Sequence, residues 1–245
     1  MNLMKQKHLS LLGLLLAPAA TSVAQEMSTD RPDQTESSWV VPKGIIQIET
    51  GFSIGNDAPD QHLQPSPTDP ALRSVQNLSI TSTLVRVGLL GRMELRLETG
   101  YAVEKSEFER MNGATSEQFS ESLKGLDALA VGVKIGIAEE DGPYPETSLI
   151  FHTTLPVGNE AFRPRYLLPD FRFTLSHSLS ETVSLGYNLG AEWGDTGSPP
   201  DGIYTLVVGG DLAGAVGGFV ELFGTLSPEG PPQHKFDAGI TWGLH

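Results

Sequence analysis

From residue 44 to residue 244 apolar and polar side chains alternate with a period of two, in segments longer than those of an ordinary soluble sheet. In residues 93–103, Met93, Leu95, Leu97, Thr99, Tyr101 and Val103 share one parity, and Glu94, Arg96, Glu98 and Gly100 share the other. Side chains of a strand point alternately to opposite faces, so this is a sheet with one apolar and one ionic face. The scheme recurs over ten segments, at 44–55, 75–90, 92–103, 126–138, 146–156, 169–179, 181–193, 202–213, 215–226 and 234–244. A tilted strand needs about 9 to 11 residues to cross a bilayer, whereas strands of soluble sandwiches run nearer 5 to 6. Length therefore favours an all-β, antiparallel transmembrane barrel of ten strands. Two segments break the alternation. Leu78 and Ile80 are out of phase with Val85 and Val87, as a bulge would make them, and Phe219 and Phe223 share a parity with Glu221.

The connections support the same architecture. Those at 90–92, 178–182 and 213–215 are tight, while 56–74, 104–125, 157–168 and 194–201 are long and rich in Pro, Gly, Asp, Ser or Glu. Outer-membrane barrels alternate short periplasmic turns with long external loops. With the N-terminus in the periplasm, every long connection falls outside.

What precedes the first strand divides in two. Residues 1–24 combine Lys5 and Lys7, an apolar run from Leu9 to Ala20, and small residues at Ser22 and Ala24, which is the pattern of a secretory signal peptide. Residues 25–43 form a polar N-terminal segment, and 44–245 form the barrel. No later stretch reaches the ~18 apolar residues of a membrane-spanning helix. The chain has no cysteine, which excludes disulfides and thiolate metal sites. Its 16 basic residues are outnumbered by 30 acidic ones, a poor balance for binding nucleic acid.

The polar parity lines the lumen. Candidate lining and selectivity residues are Glu49, Arg86, Glu94, Arg96, Glu98, Lys134, His152, Arg172 and Glu192, joined by Asp211, Glu221, Lys235 and Asp237. Both signs occur, so ion pairs offset the desolvation of a narrow interior. Trp39, Phe52, Tyr101, Trp193, Tyr204 and Trp242 are candidates for interfacial girdles.

Several blocks resemble a known family. The run Thr29, Asp30, Arg31, Pro32, Asp33, Gln34, Thr35, Glu36, Ser37 is followed by Val41-Pro42-Lys43-Gly44 and by Gln47-Ile48-Glu49-Thr50-Gly51-Phe52. This opening is similar to that of the bacterial outer-membrane proteins grouped as "MetA-pathway of phenol degradation", many of them labelled transporters. Arg86-Val87-Gly88-Leu89, Arg163 to Pro169, and Leu185 to Trp193 extend the likeness over nearly the whole mature chain. The resemblance implies a barrel that passes small molecules, aromatic ones among them. It also implies relatives of twelve strands, where this chain stops after ten.

Charged side chains admit more than one role. Thr29 to Glu36 reads as a periplasmic tail capping the barrel floor, with a plug that pairs with Glu94 or Glu98 as the alternative. Arg86, Glu94, Arg96 and Glu98 read as a structural ion network filling a small barrel, or as a selectivity constriction. His177 and Ser178 fall on opposite parities, which makes no catalytic dyad, and no nucleophile elbow or metal-binding helix motif occurs. The histidines lack metal-ligand spacing. The resulting expectation is a monomeric barrel in outer-membrane lipid, with no cofactor and no enzymatic activity, serving as a passive channel for a small solute. The alternative is a non-conducting structural or adhesion barrel acting through its acidic external loops.

Overall fold

The computed structural model describes residues 28–31, 34–57, 70–112, 115–195 and 197–243. The expected signal peptide, with Pro32 and Asp33 of the N-terminal motif, lies outside the described residues. Among the described residues there are eleven strands and no helix. They are β1 (Ile46–Asp57), β2 (Ala71–Leu90), β3 (Met93–Asn112), β4 (Thr115–Leu126), β5 (Ala130–Ala138), β6 (Glu146–Thr154), β7 (Leu168–Ser178), β8 (Val183–Glu192), β9 (Asp201–Ala213), β10 (Val216–Leu226) and β11 (Gln233–Trp242).

Ten of them follow one another across a single antiparallel sheet, and β4 pairs with β3 off that path. The sheet curls into a half-barrel. Among the described residues β1 pairs only with β2 and β11 only with β10, so the closed seam expected from the sequence is replaced by two free edges.

The two faces invert the soluble pattern. Ile46, Ile48, Phe52, Leu189, Val220, Phe236 and Ile240 stand exposed on the convex side, while Arg86, Glu94, Arg96, Lys134, Ser148, Thr174, Asn188 and Glu221 are buried on the concave side. Apolar outside and polar inside is the arrangement of a membrane barrel. The inward parity is not uniformly polar, because Leu84, Ile150 and Ile203 are also buried there. Phe219 finds room on this parity because its neighbour is Gly239, where a Cβ would come within 2.2 Å of the ring.

One expected external loop is a strand pair instead. β2 and β3 each run for 20 residues, and the far half of β3 together with β4 occupies most of the span 104–125, paired from Tyr101↔Leu126 to Asn112↔Thr115. The second strand likewise begins at Ala71, four residues earlier than its pattern suggests. These residues stand beyond the main sheet and need no apolar face, so alternation does not mark them. Phe108 stacked on Phe119, with centroids 5.3 Å apart, fixes the hairpin's register. The break in phase within β2 is a bulge between Ile80 and Thr83. Thr81 sits there with φ of 56°, a left-handed conformation that costs a β-branched residue about 1–3 kcal/mol.

Candidate functional site

The concave face is occupied by the chain's own N-terminal segment. Pro42 restricts Val41 before it to extended backbone. The following residues form a turn, in which Ile45 N donates to Pro42 O at 3.0 Å and Gly44 takes φ of 84°. A positive φ at the third turn position belongs to type II turns and favours glycine. The turn directs residues 28–31 and 34–41 back along the inside of the sheet rather than beneath it. They pass so close to Gly88 that a Cβ there would lie 2.0 Å from Pro42 O.

Asp30 is the centre of the arrangement. Its carboxylate has no exposed area, and its Oδ2 lies 2.5 Å from Arg96, 2.9 Å from Lys134 and 3.2 Å from Arg86. Oδ1 accepts from Ser37 N at 2.9 Å and Ser37 Oγ at 2.6 Å. The three cations come from three adjacent strands, β2, β3 and β5. Glu94 accepts from Arg86 at 2.8 Å and Arg96 at 3.0 Å, and Glu49 accepts from Arg86 at 3.2 Å and from Asp30 N at 2.9 Å. Charges removed from water persist only when paired and hydrogen-bonded, and this cluster meets that condition only with the segment in place.

The segment continues across the concave face to the other flank of the sheet. Gln34 N donates to Glu221 on β10 at 2.8 Å, and Thr35 Oγ1 bonds Thr205 on β9 at 2.7 Å and Glu221. Glu36 and Asn188 on β8 exchange a reciprocal pair at 2.7 and 2.9 Å, as neighbouring strands would. Ser38 Oγ donates to Glu146 at 2.6 Å and its carbonyl accepts from Ser148, both on β6. Val41 N donates to Glu94 at 2.6 Å.

The sequence-derived candidates therefore separate into groups. Glu49, Arg86, Glu94, Arg96 and Lys134 meet around Asp30. Glu98 binds Arg31 at the margin of the cluster. His152 Nε2 accepts from Arg96 Nε at 2.9 Å, and its Nδ1 lies 3.4 Å from Asp170. Arg172 and Glu192 stand apart, lining a cavity of about 180 Å³ with Tyr204, Phe223 and Lys235. Arg172 Nε lies 3.8 Å from Asp170 and makes no hydrogen bond. Of the N-terminal motif, Asp30 and Thr35 are buried, Arg31, Gln34 and Glu36 make the contacts above, and Thr29 lines an open groove beside β1. The segment thus lies along the concave side, as the plug alternative has it, and not at the barrel floor as the tail reading has it.

Trp39 belongs to this segment and not to an interfacial girdle, its ring lying 5.6 Å from the Arg86 guanidinium. His177 stacks on Tyr187, while Ser178 bonds Glu140. Sequence reasoning missed Gln47, Glu146, Ser148, Asn188 and Thr205. Each lies on the inward parity, which is the one signal that would have found them.

No curated protein matches the chain. A curled antiparallel sheet with an apolar convex face and an ionic concave face fits an outer-membrane barrel protein. A family model matches residues 29–244, and the chain accordingly belongs to the family described as "Putative MetA-pathway of phenol degradation".

Proposed function

We propose that the protein is a monomeric outer-membrane conduit for the passive passage of a small solute, its concave face occupied by its own N-terminal segment. The observation that carries this reading is the ionic concave face. A barrel that only needed to be solid would fill its interior more cheaply with apolar side chains, because buried ion pairs replaced by packed hydrophobic groups are commonly neutral or stabilising. A charged wall is what a selective water-filled path requires. The reading invokes no cofactor, energy source or covalent step. Planar-bilayer conductance of the refolded full mature chain tests it. Discrete steps whose ion selectivity shifts with Arg96→Glu are expected. A folded protein that stays silent, even when the segment is loosened by Lys134→Met, would refute the conduit.

A second reading has its own observation. The paired far halves of β2 and β3, extended by β4, project a highly charged blade beyond the sheet, which suits an adhesion or structural barrel. That reading predicts folding without conductance.

A further inference from the structure

The three cations around Asp30 are arranged at a cost that the wall alone does not explain. Arg86 and Arg96 are direct cross-strand partners in the β2–β3 register, and Lys134 is the partner of Glu94 in the next strand pair. Like charges directly opposite one another destabilise a sheet. Glu94 and Glu49 from the wall offset Arg86 well, since it reaches both. Lys134 lies across from Glu94 but, among the described residues, hydrogen-bonds no carboxylate of the wall. Its hydrogen bonds go to Asp30 Oδ1 and Oδ2 at 3.3 and 2.9 Å, to Ser37 O at 3.0 Å and to Trp39 O at 3.4 Å, all in the N-terminal segment. Arg96 sends one nitrogen to Asp30 and another to Glu36 of the same segment, both at 2.5 Å. The concave wall therefore presents a buried ammonium whose hydrogen bonds go to the segment, and a buried guanidinium that binds Asp30 and Glu36 of the segment as well as Glu94 of the wall.

From this convergence we infer that the cradle formed by Lys134, Arg96 and Arg86 is a carboxylate-binding site of the lumen, and that Asp30 occupies it in place of the carboxylate of a small solute. The inference rests on the conduit reading for its role in passage, although the site itself is tested without conductance. Planar guanidinium and a point-charge ammonium together suit a two-oxygen anion. Glu49 on β1 and Glu94 on β3 flank the cradle and repel a second anion, so the site takes a monocarboxylate rather than a polyanion. Solute and segment compete for the same nitrogens.

Removing the resident carboxylate and supplying one from solution tests the site in the full chain. The protein has no cysteine, so Thr35→Cys places a unique thiol at a buried position of the segment. Its modification rate reports unseating. In Asp30→Ala/Thr35→Cys, about 100 mM sodium acetate is expected to slow labelling about tenfold relative to sodium chloride at equal ionic strength, as a ligand about tenfold above its Kd would. Equal rates in the two salts would overturn the site. Slowing by chloride or sulfate as strongly as by acetate would overturn the carboxylate assignment. Where Asp30→Ala does not refold, the Thr35→Cys chain with Asp30 intact gives the opposite sign. There acetate competes with Asp30 and must speed labelling, and no acetate effect overturns the proposal. Acetate rescue in a protein that never conducts would leave the site standing and remove the conduit; conductance without any acetate effect would do the reverse.

Discussion

Lys134→Met is the substitution that separates a seated segment from a loosely resting one. The ammonium is wholly buried and its acceptors all lie in residues 30–39. Methionine keeps most of the stem volume and removes the donors. Asp30 retains Arg96 at 2.5 Å and Arg86 at 3.2 Å, and Trp39 O retains Arg86 at 2.9 Å. Ser37 O is left without its ammonium. The loss is then one charge-assisted contact, about 1.5–3 kcal/mol, and one orphaned buried carbonyl, about 1–3 kcal/mol. Relief from desolvating an ammonium offsets part of this. A net of about 3 kcal/mol on seating corresponds to roughly a hundredfold in the seating equilibrium. The assay is thiol modification of Thr35→Cys with and without Lys134→Met, after heat-modifiable mobility confirms that both chains fold. A labelling rate raised roughly a hundredfold is expected. Rates within about twofold would mean that the Lys134 contacts contribute little to seating, and the account of the cluster as segment-dependent would fail.

Three further outcomes follow from other parts of the fold. Gly88→Ala places a Cβ 2.0 Å from Pro42 O and 2.5 Å from Val41 O, and such overpacking costs about 1–3 kcal/mol; labelling at Thr35→Cys should rise while the sheet stays folded, and an unchanged rate would show that the segment does not cross Gly88. Leu189→Lys on the convex face should cost about 2–4 kcal/mol at a bilayer midplane, against about 0.5 kcal/mol or less at a water-exposed site; urea titration in lipid vesicles distinguishes the two, and the smaller value would place this face outside lipid. Glu140 in the turn after β5 accepts from Ser178 Oγ at 2.8 Å and from Ser178 N at 2.7 Å, and these bonds hold its carboxyl below the ordinary glutamate range. A depressed value means that the clasp is present above the unfolded pKa and lost as pH falls through the folded one, so the Glu140 carboxyl resonance should titrate below that of Ser178→Ala; coincident midpoints would exclude the clasp in solution.

The wall strands were legible because their two faces differ in chemistry. β3 from Met93 to Val103 and β5 from Val131 to Ile137 alternate cleanly, since one side meets apolar surroundings and the other meets charge. The same logic explains the failures. Residues 104–112 and 115–124 project beyond the sheet and carry polar side chains on both parities, so a strand there resembles a loop, and only the opposed Phe108 and Phe119 hint at pairing. Leu84 and Ile150 are apolar and buried on the inward parity, where alternation alone would have placed polar side chains. The charged cluster was visible residue by residue, yet its organisation was not. Asp30 meets Lys134 across 104 positions and Arg96 across 66, and periodicity within a strand carries no information at that range. Neutral partners such as Asn188 and Thr205 have no signature beyond parity.

The route of the N-terminal segment also sets an order of assembly. Gln34, Thr35 and Glu36 bond residues 187, 170 and 152 positions later in the chain. Contacts of such separation form only after the intervening chain has been brought together, and their closure slows folding. The segment's binding surface is contributed by strands from β1 to β10, so it does not exist until β10 has joined the sheet. Until then Arg86, Arg96 and Lys134 face one another without Asp30, and water must solvate them. Residues that leave the ribosome among the first are thus the last to be placed, and the lumen stays hydrated until the final step.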